Sequence, residues 1–158
     1  DSEDIKNNLL KKFSDENVNS KNIIFLDRLK NQNDHLNCYN KFHFTLDTFP
    51  YPGVTTSFES ILMGKPVLTM RGNNFNSRCG ESININLDME EFIAIDESDY
   101  VNKAVRYTKE LQKLKNLSIN LRDRALSSPL FNVEDFSKHF NFVLLDICKD
   151  AKKNNKFT

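Results

Sequence analysis

The sequence predicts an α/β fold, a parallel sheet with helices on both faces, and three observations predict it. Four short runs, residues 22–27, 42–47, 66–70 and 92–95, are near-continuously apolar and rich in β-branched and aromatic side chains, the pattern of strands buried on both faces. Between them lie stretches with apolar residues at helical spacing, which implies βαβ crossovers. All four glycines (Gly53, Gly64, Gly72, Gly80) and three of the four prolines (Pro50, Pro52, Pro66) fall between positions 50 and 80. Backbone with unusual dihedral demands is therefore concentrated in one segment.

Each element has its own grounds. Ser2 can cap a first helix in which Ile5, Leu9, Leu10 and Phe13 share a face, ending near Asn17. Residues 22–27 make the first predicted strand, 34–41 a short helix and 42–47 the second strand. After the turn residues of 49–53, a helix starts at Thr55 with Phe58, Ile61 and Leu62 on one face; Gly64 stops it and Pro66 forbids its continuation. Residues 66–70 form the third strand, 76–87 a weaker helix and 92–95 a fourth strand. Ser98 or Asp99 opens a helix through Val101, Ala104, Val105, Leu111 and Leu114. After Ser127, Ser128 and Pro129, a last amphipathic helix carries Val133, Phe136, Phe140, Val143, Leu144, Ile147 and Cys148. With 158 residues, one domain is expected over 1–150, with a frayed tail over 151–158.

Composition excludes several classes. The 22 basic and 22 acidic residues cancel, so the footprint of a nucleic-acid-binding protein is missing. No apolar run approaches the roughly 20 residues of a membrane helix. Three scattered cysteines (Cys38, Cys79, Cys148) make no disulfide framework, and a reducing, cytoplasmic compartment is expected. The chain begins with Asp1 rather than Met, which reads as a piece of a longer protein.

Chemistry is expected where parallel strands meet helix N-termini, because unpaired amides there suit anions. The unit of strand 42–47, loop 50–53 and the helix from Thr55 has that outline. Gly53 permits close backbone approach, while Thr55 and Thr56 add hydroxyls to the free amides of the first turn. Glu59 lies on the same helix face about one turn, roughly 5 Å of rise, further along. That suits a diphosphate joined to a ribose; ordinary capping threonines and a first-turn acid would give the same spacing. Arg71 and Arg78 flank the turn at 72–76 and could reach a phosphate; the alternative, favoured here, is that Arg78 pairs with a nearby carboxylate such as Glu81 or fixes the loop. His35, Cys38 and His43 lack a fourth ligand for a structural zinc, and no metal is expected. His43 and His139 read as packing or surface residues, and Cys79 as buried and inert. Neither a Gly-x-Gly-x-x-Gly nor a P-loop sequence occurs.

Several segments in order, Leu46-Asp47-Thr48, Pro52-Gly53-Val54-Thr55-Thr56, 63–70 and 77–82, with Ser127-Ser128-Pro129-Leu130-Phe131 before the last helix, resemble the C-terminal lobe of the O-linked N-acetylglucosamine transferases, glycosyltransferase family 41. The likeness covers roughly residues 20–147. It implies a Rossmann-like lobe of a two-lobed glycosyltransferase-B fold that binds a UDP-sugar donor without metal or other cofactor and serves a protein acceptor. On this resemblance Gly53, Val54, Thr55 and Thr56 hold the leaving diphosphate, and His35 and Glu59 the nucleoside. The resemblance assigns no catalytic residue to this chain, since the acceptor and any general base belong to an N-terminal lobe that is missing here. With it are missing a first strand, its phosphate-binding lysine and any upstream helical repeats, so the chain alone is expected to be inactive. Three positions depart from the pattern: Val54 replaces a histidine, Cys38 an arginine and Gln32 a lysine, while Glu59 stands where Asp is usual. They leave open another glycosyltransferase-B enzyme with a different donor, a sugar-nucleotide epimerase, or a non-catalytic module that binds a protein.

Overall fold

The computed structural model describes residues 2–26, 29 and 31–153. The chain divides between His35 and Leu36 into two compact units.

The first unit holds α1 (Ser2–Asp15), of which Ser2 is the first helical residue rather than the preceding cap. Asn17 ends the helix. At φ +61° it takes the left-handed conformation, and the Asn17 and Val18 amides donate to the Ser14 and Phe13 carbonyls at 2.9 and 2.8 Å. The apolar run at 22–27 does not form the predicted strand. Ser20–Asn22 is a 3-10 turn, and Ile24 and Leu26 beyond it are exposed; Asp27 lies outside the described residues. A strand needs a neighbour to satisfy its backbone, and the described residues of this unit offer helices and a turn but no second strand.

α2 (Gln32–Cys38) begins earlier than position 34 because Asn31 caps it. The Asp34 amide donates to Asn31 Oδ1 at 2.8 Å and Asn31 Nδ2 returns a bond to Asp34 Oδ2 at 2.7 Å. A 3-10 turn at Tyr39–Lys41 follows.

The second unit is built on a parallel three-stranded sheet in the order β1 (Thr45–Leu46), β2 (Val67–Met70), β3 (Ile93–Ala94). Thr45 pairs with Val67 and Thr69 with Ile93. Successive residues Val67, Leu68 and Thr69 are all buried. Since consecutive side chains point to opposite faces, β2 is covered on both, as a parallel sheet requires. The strands are shorter than their apolar runs; Leu46 and Ile95, within the expected strands, are exposed.

α3 (Thr55–Leu62) links β1 to β2. Gly64 stops it at φ +73°, where a Cβ would stand 2.8 Å from the Ser118 carbonyl oxygen. β2 leads through a 3-10 turn to α4 (Cys79–Asn86). Asn84, on α4, is fully buried and its Nδ2 donates to the Val67 and Phe92 carbonyls, tying the helix to the sheet.

The expected single helix after β3 is two, α5 (Glu97–Lys109) and α6 (Leu111–Ser127). Asp96, not Ser98 or Asp99, caps α5: its side chain accepts from the Asp99 amide at 2.8 Å, and Asp99 Oδ2 accepts from the Ile95 amide at 3.0 Å. Glu110, at φ −104° and ψ 37°, breaks the run. The break lets two apolar stripes face the core separately. Tyr107 stacks on Phe92 with ring centroids 4.4 Å apart, and Leu114, Leu121 and Ala125 enter from α6. α7 (Val133–Lys153) packs against the turn at Pro129–Phe131, and its last three residues are the first three of the tail expected over 151–158. Val133, Phe136, Phe140, Val143, Leu144 and Ile147 on α7 are exposed. Residues 154–158 lie outside the described ones.

Candidate functional site

The segment from Asp47 to Glu59 is assembled by β1, the loop after it and the first turn of α3. Gly53 lies outside the left-handed region, so its place is set by crowding. A Cβ built on it would collide with Thr56 Oγ1 and stand 3.1 Å from Ser57 Oγ. The loop is closed from both sides, for the Gly53 amide donates to Asp47 Oδ1 at 2.7 Å and Ser57 Oγ donates to the Gly53 carbonyl at 2.9 Å.

Val54 occupies the N-cap of α3 and has no side-chain oxygen to offer. The amides at the start of a helix have no intrahelical partner, and here the cap residue supplies none. Thr55 and Thr56 sit on that turn with exposed side chains. The helix N-terminus thus presents amides, two hydroxyls and the positive end of its dipole to solvent, an arrangement suited to a multiply charged anion.

Glu59 lies one turn along. Tyr39, buried in the second unit, donates its hydroxyl to Glu59 Oε2 at 3.1 Å and also meets the Thr56 carbonyl at 3.4 Å. Burial, then the bond to Glu59, pushes the Tyr39 phenol up to about 12. The structure therefore brings Gly53, Val54, Thr55, Thr56 and Glu59 to one helix end. His35, exposed on α2, closes the first unit.

Beneath the loop lies a carboxylate whose role spacing alone did not reveal. Asp47 is buried, with Oδ2 accepting from Thr69 Oγ1 at 2.9 Å and Oδ1 engaged by Gly53. Burial raises its carboxyl above the usual range, against the opposing pull of the Gly53 and Thr69 bonds. The sequence signals were an acid at the end of a strand, which is common, and its place in the Leu46-Asp47-Thr48 segment, which gave it no role.

Arg71 and Arg78 both turn to Glu81, with Nε atoms 2.6 Å from its two oxygens. Glu81 is buried, and the Arg78 bond, foremost, holds its carboxyl below the ordinary value. The two guanidinium groups fix the loop after β2. Cys79 is half-buried rather than buried, its thiol 3.6 Å from the Phe75 carbonyl. Among the described residues no three side chains of His, Cys, Asp or Glu gather to hold a metal, and no helix is long and apolar enough to cross a membrane.

A groove of about 650 Å³ is lined by Val54 and Phe58, the loop at Asn73–Phe75, residues of α4 and Leu130.

The family model described as glycosyl transferase family 41 matches residues 4–140. A tomato (Solanum lycopersicum) protein described as a probable UDP-N-acetylglucosamine–peptide N-acetylglucosaminyltransferase SPINDLY is 34% identical over 110 residues, 70% of this chain and 12% of that protein. The protein of the same description from Eustoma exaltatum is 33% identical over 128 residues, 81% of this chain and 14% of its own length. Among solved structures, a mutant O-GlcNAc transferase of Thermobaculum terrenum superposes with a TM-score of 0.79 at 26% identity, covering 92% of this chain and 28% of that one. The chain thus spans about an eighth of the length of these curated relatives.

Proposed function

The chain belongs to glycosyl transferase family 41, and on that premise we propose that it is the nucleotide-sugar-binding lobe of an inverting, cytoplasmic glycosyltransferase that moves N-acetylglucosamine from a UDP-sugar to Ser or Thr of proteins. The observation that carries the reading is the open N-terminus of α3, where uncapped amides and the exposed Thr55 and Thr56 hydroxyls converge behind a pinned Gly53. The plant relatives and the bacterial structure, described as N-acetylglucosaminyltransferases, support it.

In such a transfer, negative charge grows on the departing diphosphate. Oriented amides and hydroxyls at a helix N-terminus, with the dipole behind them, stabilise that charge without reorganising during the reaction. Glu59, steadied by Tyr39, is suited to the two ribose hydroxyls and fixes the nucleotide's register. His35 is retained as a ligand of the base on the family resemblance. The acceptor and the general base fall to a second lobe of a glycosyltransferase-B fold, so this chain alone transfers no sugar.

Calorimetric titration with UDP, with GDP and ADP as comparisons, tests the reading. Binding of UDP that weakens at least tenfold in the Thr55→Ala, Thr56→Ala pair, with the melting temperature held, is the expected result. Absence of binding at millimolar UDP, in a chain extended upstream through the phosphate-binding lysine, would sink it. The exposed valine at position 54, where the family has histidine, favours one second reading, the same lobe serving a different donor. Stronger binding of another nucleoside diphosphate would identify it.

A further inference from the structure

Elements around the phosphate loop meet at one residue. β1 leads directly into Asp47, the next residue; its Oδ1 takes the Gly53 amide at 2.7 Å, and its Oδ2 takes the Thr69 hydroxyl of β2 at 2.9 Å. Tyr100 of α5 donates to the Asp47 main-chain carbonyl at 2.8 Å, and on α4 a Cβ at Gly80 would stand 2.6 Å from Oδ2. Both carboxylate oxygens are thus engaged inside the protein and the residue is buried. A bare carboxylate facing a diphosphate would repel it. This one is turned inward and reaches the site only through the backbone it holds.

We propose that Asp47 is a positioning residue for the diphosphate site, acting through the Gly53 amide to set the path by which the chain enters α3. The inference rests on the reading of that helix end as a diphosphate site. Gly53 precedes the N-cap by one residue, so its placement decides where the Thr55 and Thr56 amides point. Ser57, which grips the Gly53 carbonyl, works from the other side of the same peptide. The negative charge of Asp47 is not what the site needs; the acceptor oxygen is.

The test compares Asp47→Ala, Asp47→Asn and, as a control for stability alone, Leu114→Ala in the α6 core. Two quantities are read well below the melting transition: hydrogen exchange of the Gly53 amide, and UDP affinity by calorimetry. Asp47→Ala removes the acceptor and should speed Gly53 exchange and weaken UDP by about tenfold each. Asp47→Asn keeps an acceptor for Gly53 and offers its amide to Thr69 Oγ1, so both quantities should stay within about threefold of the parent. Leu114→Ala should lower the melting temperature without singling out Gly53. If Asp47→Ala does not fold, Asp47→Leu keeps the bulk without the acceptor and takes its place. An Asn variant as impaired as Ala, or Gly53 exchange in the Ala or Leu variant no faster than in the control, overturns the proposal. If the parent chain binds no UDP, the affinities are read in the chain extended upstream; absence of binding there refutes the functional reading instead, and the Gly53 exchange comparison still decides the role of Asp47.

Discussion

Replacing Gly53 by alanine separates the site from the fold. Gly53 is not in the left-handed region, so alanine meets no backbone penalty there. The added methyl collides instead with Thr56 Oγ1 and lies 3.1 Å from Ser57 Oγ and 3.6 Å from Asp47 Oδ1. The Thr56 hydroxyl is the part able to give way, and pushing it from its rotamer costs about 0.5–1.5 kcal/mol. Restricting the unfolded chain returns about 0.4–1 kcal/mol. Stability should therefore stay within about 1 kcal/mol of the parent, a shift of about 4 °C or less in melting temperature. Binding has no such offset. A displaced hydroxyl forfeits a hydrogen bond to a charged phosphate, worth about 1.5–3 kcal/mol, so UDP affinity should fall between about tenfold and a hundredfold. Thermal melts and calorimetric titrations on the same samples measure the two numbers. If Gly53→Ala binds UDP within threefold of the parent, the close approach at Gly53 does not shape the ligand site.

Three further outcomes follow from the geometry. Gly64→Ala places a side chain at φ +73° and 2.8 Å from the Ser118 carbonyl, so urea unfolding should show a loss of about 2 kcal/mol with UDP affinity unchanged. Tyr39→Phe removes the hydroxyl that bonds Glu59 Oε2 and should weaken UDP a few-fold while narrowing its advantage over 2′-deoxy-UDP, measured by competition; an unchanged ratio would remove Glu59 from the ribose. Glu81 titrates below its ordinary value of 4.5 in the folded chain, so the stability from its arginine pairs is complete above that value and is lost as pH falls through the lower, folded one. Melting temperatures followed downward from pH 5 should drop more steeply in the parent than in Glu81→Gln.

Much of this was readable from residue order. Gly64 and Pro66 mark the end of α3, Thr55 marks its start, and three of the four apolar runs lie where the sheet is. The fourth, at 22–27, misled because an apolar run states what it would bury, not whether a neighbouring strand exists to pair with it. The join between α5 and α6 was hidden by continuous periodicity; the non-helical dihedrals of Glu110 and the stacking of Tyr107 on Phe92 are visible only in the fold. At the site, local spacing located Gly53, the two threonines and Glu59. It could not reveal Tyr39 on Glu59 across 20 residues or Thr69 on Asp47 across 22. Such pairs are made by the fold and leave no local pattern. For Arg78 the pairing with Glu81 was the favoured reading, and the structure shows it, with Arg71 joining from the other side of the turn.

The exposure of α7 divides the chain thermodynamically. The sheet and the helices against it bury Ile61, Leu68, Phe92 and Leu121 and open only with the whole core. Among the described residues, a 21-residue helix whose main contact is one turn has chiefly its own backbone bonds to oppose fraying. Its amides should open on their own schedule, and the heat of the main unfolding transition should correspond to fewer residues than the chain contains. Anything that binds the helical form would raise the helix toward the stability of the core by mass action alone, with no change in the core itself.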